Sequence, residues 1–242
     1  MDQLLIALDV ASAGEALSLA NTVRGIAGGF KIGNRLFTSE GPSIIRTLVG
    51  RGDRVFLDLK FHDIPHTVGT AVAAAAALGV WMINVHASGG TRMMQAARAA
   101  AEDTAARTGG ERPLLIAVTV LTSMNAAALA ETSVEVPLLD QVVRLAALAQ
   151  KAGLDGVVAS PQEISIIREH CGNDFAIVTP GIRGGGPAGA TIAARGADDQ
   201  ERTMGAAEAV AAGASYIVVG RPIIAAADPR AAAEQIATQM RS

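Results

Sequence analysis

Phe56-Leu57-Asp58-Leu59-Lys60-Phe61-His62-Asp63-Ile64-Pro65-His66-Thr67 reads as a strand running directly into a helix. Alternate strand residues face the same way, so Asp58 and Lys60 share one side. Val55, Leu57 and Leu59, all apolar, share the other. Pro65 suits the opening of a helix, where its missing N–H would be unpaired in any case. A strand that is apolar on one face and ends in a carboxylate and an ammonium on the other is built for more than packing. It reads as the mouth of an active site, in a fold that gathers strand ends.

Working outward, similar apolar runs recur at even intervals. They are Leu4–Asp9, Gly29–Ile32, Val55–Lys60, Trp81–His86, Leu114–Thr119, Gly156–Ala159, Phe175–Thr179 and Ser215–Val219. Ala-rich segments with helical spacing lie between them, among them Val68–Leu78, Gly90–Arg107 and Leu138–Lys151, and alanine favours helix. Eight strand–helix units in 242 residues predict an α/β protein, a (β/α)8 TIM barrel, for which roughly 250 residues is typical. A doubly wound open sheet is the rival for any such alternation. No Pro/Ser-rich linker divides the chain, so residues 1–242 are read as one catalytic domain. The Gly/Ala-rich segment Gly184–Ala197 is a loop after the seventh strand. In a barrel, functional side chains collect at the C-terminal ends of strands. Asp9, Lys31, Asp58 with Lys60, His86, Thr122, Arg183 and Arg221 all fall at or just beyond such ends.

Bulk composition narrows the function. Half the residues are hydrophobic, and the net charge of -3 comes without a basic block, which argues against a nucleic-acid partner. Aromatics make up 3%, too few for base-stacking platforms. No run is long enough to span a bilayer. Met1–Val10 lacks the basic start and cleavage site of a signal peptide. Cys171 is the single cysteine, so neither an internal disulfide nor a Cys-based zinc site is expected. The expectation is a cytoplasmic enzyme.

Asp9, Lys31, Asp58, Lys60 and Asp63 are predicted to converge on the barrel mouth. At an effective dielectric of about 20, two unit charges 4 Å apart interact by about 4 kcal/mol. An alternating array therefore holds its members in place, and carboxylates beside a lysine favour its charged form. Such an ammonium, fixed beside a reacting carbon, donates a proton and stabilises negative charge. Rim salt bridges are the plainer reading for Asp9 or Lys31 alone; Asp58, Lys60 and Asp63 together favour function. The last two strands end in Gly181-Ile182-Arg183-Gly184-Gly185-Gly186 and Gly220-Arg221-Pro222. Glycines let backbone N–H groups approach an anion, and Arg221 can grip phosphate oxygens with two parallel bonds. Either stretch alone is ordinary turn chemistry; paired at these ends they predict a phosphate site.

Asp58-x-Lys60-x-x-Asp63-Ile64-x-x-Thr67 resembles the signature of the orotidine 5'-phosphate decarboxylase family, in its short bacterial form. The resemblance extends through Leu8-Asp9, Phe30-Lys31-Ile32-Gly33, Val118-Thr119-Val120-Leu121-Thr122-Ser123, Thr179-Pro180-Gly181-Ile182-Arg183 and Val219-Gly220-Arg221-Pro222-Ile223. It implies decarboxylation of orotidine 5'-monophosphate to UMP, in pyrimidine biosynthesis, with no metal and no organic cofactor. It also implies a role for each matching residue. Lys60 would protonate C6, Asp58 would sit against the substrate carboxylate, and Lys31 and Asp63 would complete the charged row. Asp9 and Lys31 would contact the ribose. The partner copy in a homodimer would supply Asp63 and Thr67. Thr122 would face the pyrimidine, and Gln200 would fold over the ligand with Gly220 and Arg221 at the phosphate. The segment Gly184–Ala197 is longer than the family's compact members lead one to expect.

The nearest alternative is a magnesium-dependent sugar-phosphate lyase of a related barrel, of the hexulose-phosphate synthase or ketogulonate-phosphate decarboxylase type. These resemble the Asp-x-Lys-x-x-Asp motif but carry a glutamate where Lys31 stands. A non-catalytic phosphate-binding regulator is the third reading, and it has no use for Lys60 between two carboxylates. His62 and His66, four apart, are read as solvent-facing or supporting groups rather than a zinc pair, because Pro65 starts the helix between them. His86 is read as pointing into the mouth, Cys171 as an inert thiol, and Met93 and Met94 as filling.

Overall fold

The computed structural model describes residues 2–183 and 204–241. Eight parallel strands close into a barrel. They are β1 (Leu4–Ala7), β2 (Gly29–Gly33), β3 (Val55–Phe61), β4 (Met82–His86), β5 (Leu114–Val118), β6 (Gly156–Val158), β7 (Ala176–Thr179) and β8 (Tyr216–Val219). Each pairs with its neighbour in chain order, and Leu4–Ile217 to Ile6–Val219 close the ring. The chain is thus a (β/α)8 TIM barrel, not an open doubly wound sheet. Two-residue strands, Ile182–Arg183 and Met204–Gly205, pair in parallel outside the barrel.

The runs are apolar almost throughout because parallel strands in this fold are covered on both faces. Leu5, Ala7, Phe56, Met82, Ile116, Val178 and Val218 pack together inside the barrel. Their alternates, among them Leu4, Ile6, Phe30, Leu57, Ile83, Leu115 and Ile217, pack outward against the helices. Phe56 therefore shares the inner face with Asp58 and fills the space beneath it. Gly156 is imposed by this geometry: a Cβ there would lie 2.1 Å from the carbonyl oxygen of Ala176. Helices start where the chain provides for it. Pro65 opens the helix Pro65–Ala76, Ser12 caps Ala13–Val23 through the Glu15 N–H, and Asp228 caps Pro229–Gln239 through the Ala231 N–H. Met93 and Met94 are buried in the outer core layer. Among the described residues no helix is long and apolar enough to cross a membrane.

Candidate active site

At the top of the barrel, Lys31 from β2, Lys60 from β3 and Asn84 from β4 all meet Asp58, itself on β3. Its Oδ2 lies 2.9 Å from Lys31 Nζ. Its Oδ1 lies 2.6 Å from Lys60 Nζ and accepts a 2.6 Å hydrogen bond from Asn84 Nδ2. Asp58 is 8% exposed and Asn84 fully buried. Burial alone would push the Asp58 carboxyl up, but Lys31 and then Lys60 outweigh it and hold it below the ordinary carboxylate range. Two of the chain's three lysines are thus spent on one carboxylate.

Local backbone makes this possible. Lys60 has φ +53°, a left-handed conformation that costs a non-glycine residue about 1 kcal/mol or more. The β3–β4 register shifts between Leu57 and Phe61, and in that irregularity the Lys60 N–H donates to Asn84 Oδ1 at 2.8 Å. Gly33 stands opposite Asp58 in the β2–β3 register. A Cβ on Gly33 would come within 3.1 Å of Lys31 Nζ, so the missing side chain leaves the ammonium its path to the carboxylate.

Asp9 and Asp63 do not join this row within the chain, contrary to the convergence expected of all five charges. Strand β1 ends at Ala7 and Asp9 is exposed beyond it, 3.9 Å from an Arg35 nitrogen. Asp63 is exposed and accepts a 2.6 Å hydrogen bond from the Ile64 N–H. Thr67 is exposed in the first turn of the helix Pro65–Ala76, and Thr122 is half-buried beyond β5. Gly220 precedes the short helix Arg221–Ile224, at whose start Arg221 is exposed. Gln200 and the segment Gly184–Ala197 lie outside the described residues, as does the side chain of Arg183.

His86, on the inner register of β4, is half-buried, and its ring centroid lies 5.3 Å from that of exposed His62. Burial, then His62 and Lys60, hold His86 below the usual imidazole value. His66 is exposed. Cys171 is buried at the end of the helix Ile164–Cys171, and burial pushes its thiol up. Among the described residues no three His, Cys, Asp or Glu side chains are grouped to hold a metal ion. Asn84 is the residue that sequence reasoning missed. Its signal was an amide in the middle of an otherwise apolar strand, Met82-Ile83-Asn84-Val85.

In chemical terms, the site holds an ammonium at fixed range from a carboxylate that cannot easily be protonated, within an apolar barrel. That arrangement suits a reaction in which negative charge develops on carbon beside Lys60.

Comparison with known proteins agrees with this geometry. A sequence model of the "Orotidine 5'-phosphate decarboxylase / HUMPS family" matches residues 2–236. The orotidine 5'-phosphate decarboxylase of Moorella thermoacetica is 52% identical over 240 residues, covering 99% of this chain and 92% of that protein. That of Vibrio cholerae (strain O395) is 49% identical over 234 residues, covering 97% and 96%. The crystal structure of orotidine 5'-phosphate decarboxylase from Lactobacillus acidophilus superposes with a TM-score of 0.85 at 36% identity, covering 99% of both chains. With similarity running from end to end and the charged row in place, the chain belongs to the orotidine 5'-phosphate decarboxylase / HUMPS family.

Proposed function

We propose that this chain converts orotidine 5'-monophosphate to UMP and carbon dioxide, the carboxy-lyase reaction of pyrimidine nucleotide biosynthesis, without a cofactor. The single observation that carries the reading is the Lys31–Asp58–Lys60 row, with Asp58 at 2.9 and 2.6 Å from the two ammoniums. Departure of carbon dioxide leaves an electron pair on C6 in the plane of the ring, where the ring's π system cannot spread it. Stabilisation then falls to a preorganised cation. Lys60 meets that pair and gives C6 its proton, while Lys31 restores positive charge beside Asp58. Asp58 crowds the substrate carboxylate, and grip on the remote phosphate by Arg221, Arg183, Gly220 and Gln200 offsets the repulsion. Asp9 and Lys31 hold the ribose and Thr122 the base.

The working unit in this reading is a cytoplasmic homodimer whose partner supplies Asp63 and Thr67. In support, Asp63 and Thr67 are both exposed, and so is Ile64 beside Asp63, at 65%, which leaves this edge open to a second copy. An open cleft of ≈ 540 Å³ adjoins it, lined by His62, Asp63, Ile64, Pro65, Ser88 and Gly89. Lys31 argues against the magnesium-dependent lyase: a cation already occupies the strand end where that chemistry needs a carboxylate.

Purified protein mixed with orotidine 5'-monophosphate and a chelator should lower the ultraviolet absorbance of the pyrimidine. Absence of turnover excludes the decarboxylase, and turnover only after magnesium is added favours the lyase. Mixing inactive Lys60→Ala and Asp63→Ala chains should restore part of the activity in heterodimers; verified heterodimers without recovery would count against a shared site.

A further inference from the structure

Asn84 makes two contacts that need an acceptor and a donor on one short side chain. Its Oδ1 accepts the Lys60 backbone N–H at 2.8 Å, and its Nδ2 donates to Asp58 Oδ1 at 2.6 Å. The two partners fix the orientation of the amide, since an N–H needs the oxygen and a carboxylate needs the nitrogen. Lys60 is one of two non-glycine residues with positive φ among those described, and the bond from Asn84 falls on its own N–H. Around the amide, Asp58 and Lys60 face it from β3 and Lys31 reaches it through Asp58. His86 lies two places along β4 with His62 against it, and β5 presents apolar Ile116 in register.

We propose that Asn84 is a positioning residue for the reaction: its amide holds the Lys60 backbone in the left-handed conformation and orients the Asp58 carboxylate, so that the Lys60 ammonium stands where the electron pair is left. The inference rests on the decarboxylase reading. It separates binding from chemistry. The residues assigned to the phosphate, Arg221 among them, are carried by other elements than β3 and β4, so loss of the amide should affect the reacting centre and spare substrate affinity.

The test compares Asn84→Ala and Asn84→Asp with wild type. In N84A, kcat falls about 100-fold, the scale of a small misplacement of a reacting group, while KM stays within about threefold. In N84D one oxygen still accepts the Lys60 N–H, and the protonated carboxyl also donates to Asp58. Its ionised form instead sets two negative charges side by side. The ratio of N84D to wild-type kcat therefore rises toward acid pH and falls as pH rises, whereas the N84A ratio is flat. A second readout needs no turnover. With lysine labelled in 15N, the three lysines give three amide signals, and the Lys60 signal exchanges slowly in wild type and rapidly in N84A. A kcat for N84A within about threefold of wild type, which is far from the misplacement scale, overturns the proposal. So does an N84D ratio flat with pH, or equal protection of the Lys60 amide in N84A. If wild type leaves the substrate untouched, the decarboxylase reading fails, and the amide signal alone decides whether Asn84 holds Lys60.

Discussion

A carboxylate between two cations occurs at each end of this barrel, and the two differ in what the cations are. At the C-terminal end, Asp58 lies between Lys31 and Lys60. At the N-terminal end, Asp155, just before β6, receives both Arg112 nitrogens at 2.7 and 2.8 Å, the Leu115 N–H at 2.7 Å and an Arg98 nitrogen at 3.3 Å. For both acids burial works upward, and the basic neighbours win and hold the carboxyl low. Arginine forms a planar fork that does not give up its proton, while lysine is a point charge on a flexible stem that can. The arginine end is a clip that joins β5 to β6. The lysine end holds a group whose chemistry allows it to give up a proton, on a left-handed backbone.

The contrast breaks first at Lys60. Lys60→Ala should lower kcat by about 10³-fold or more while the barrel stays folded, because both the proton and the cation are lost. Lys60→Arg keeps the charge but not the proton transfer and should stay close to Lys60→Ala in a single-turnover absorbance assay. Arginine activity within tenfold of wild type, well inside the general-acid range, would erase the distinction between the two ends. Arg221→Ala tests the phosphate grip and comes next. Loss of a charged bidentate contact should raise KM about 30-fold with a smaller change in kcat, and an unchanged saturation curve would remove Arg221 from the site.

At the other end the effect should appear in stability alone. Asp155→Ala leaves Arg112 and the Leu115 N–H without their acceptor. Discounted for partial exposure, the loss is about 2 kcal/mol, or about 4–8 °C in Tm for a chain of this size, with kcat and KM unchanged. The folded carboxyl of Asp155 is depressed, so its contribution is complete above the unfolded value of about 3.9 and is lost as pH falls through the folded value. The Tm gap between wild type and D155A should be constant near neutrality and close only in acid. A gap that grows on acidification would assign the clip to another group.

The two ends were unequally legible in the sequence. All eight strands could be placed because runs buried on both faces stay apolar and end at turn residues; the boundaries move by one or two positions, as at Leu4–Ala7, where Leu8 and Asp9 already leave the strand. Asp58 and Lys60 were legible from the two-residue period. The conformation of Lys60 was not: nothing in a lysine announces a positive φ, and the irregularity that produces it belongs to the pairing of β3 with β4. Asn84 was hidden for the same reason, since its partners lie 24 and 26 residues away in sequence. Asp9 was read as the end of the first strand and lies two residues past it, as Asp63 lies two past β3; a period cannot say how far a side chain beyond the strand will reach.

His86 yields the smallest expected effect, and it bears on what the mouth costs in stability. Its imidazole, held low by burial, by His62 and by Lys60, resists protonation in the folded state. Below about pH 6.5 the unfolded chain takes up a proton that the folded protein binds less readily, so stability falls as pH drops, and the contribution is complete only above that value. His86→Gln removes this linkage. Because the ring is half-exposed the difference is modest: between about pH 8 and pH 5 the Tm of the variant should fall roughly 1–2 °C less than that of wild type. A slope for H86Q equal to wild type would mean that the lysine-bearing end sacrifices no stability to acid, and that its cations are tolerated there as readily as the arginines at the opposite end.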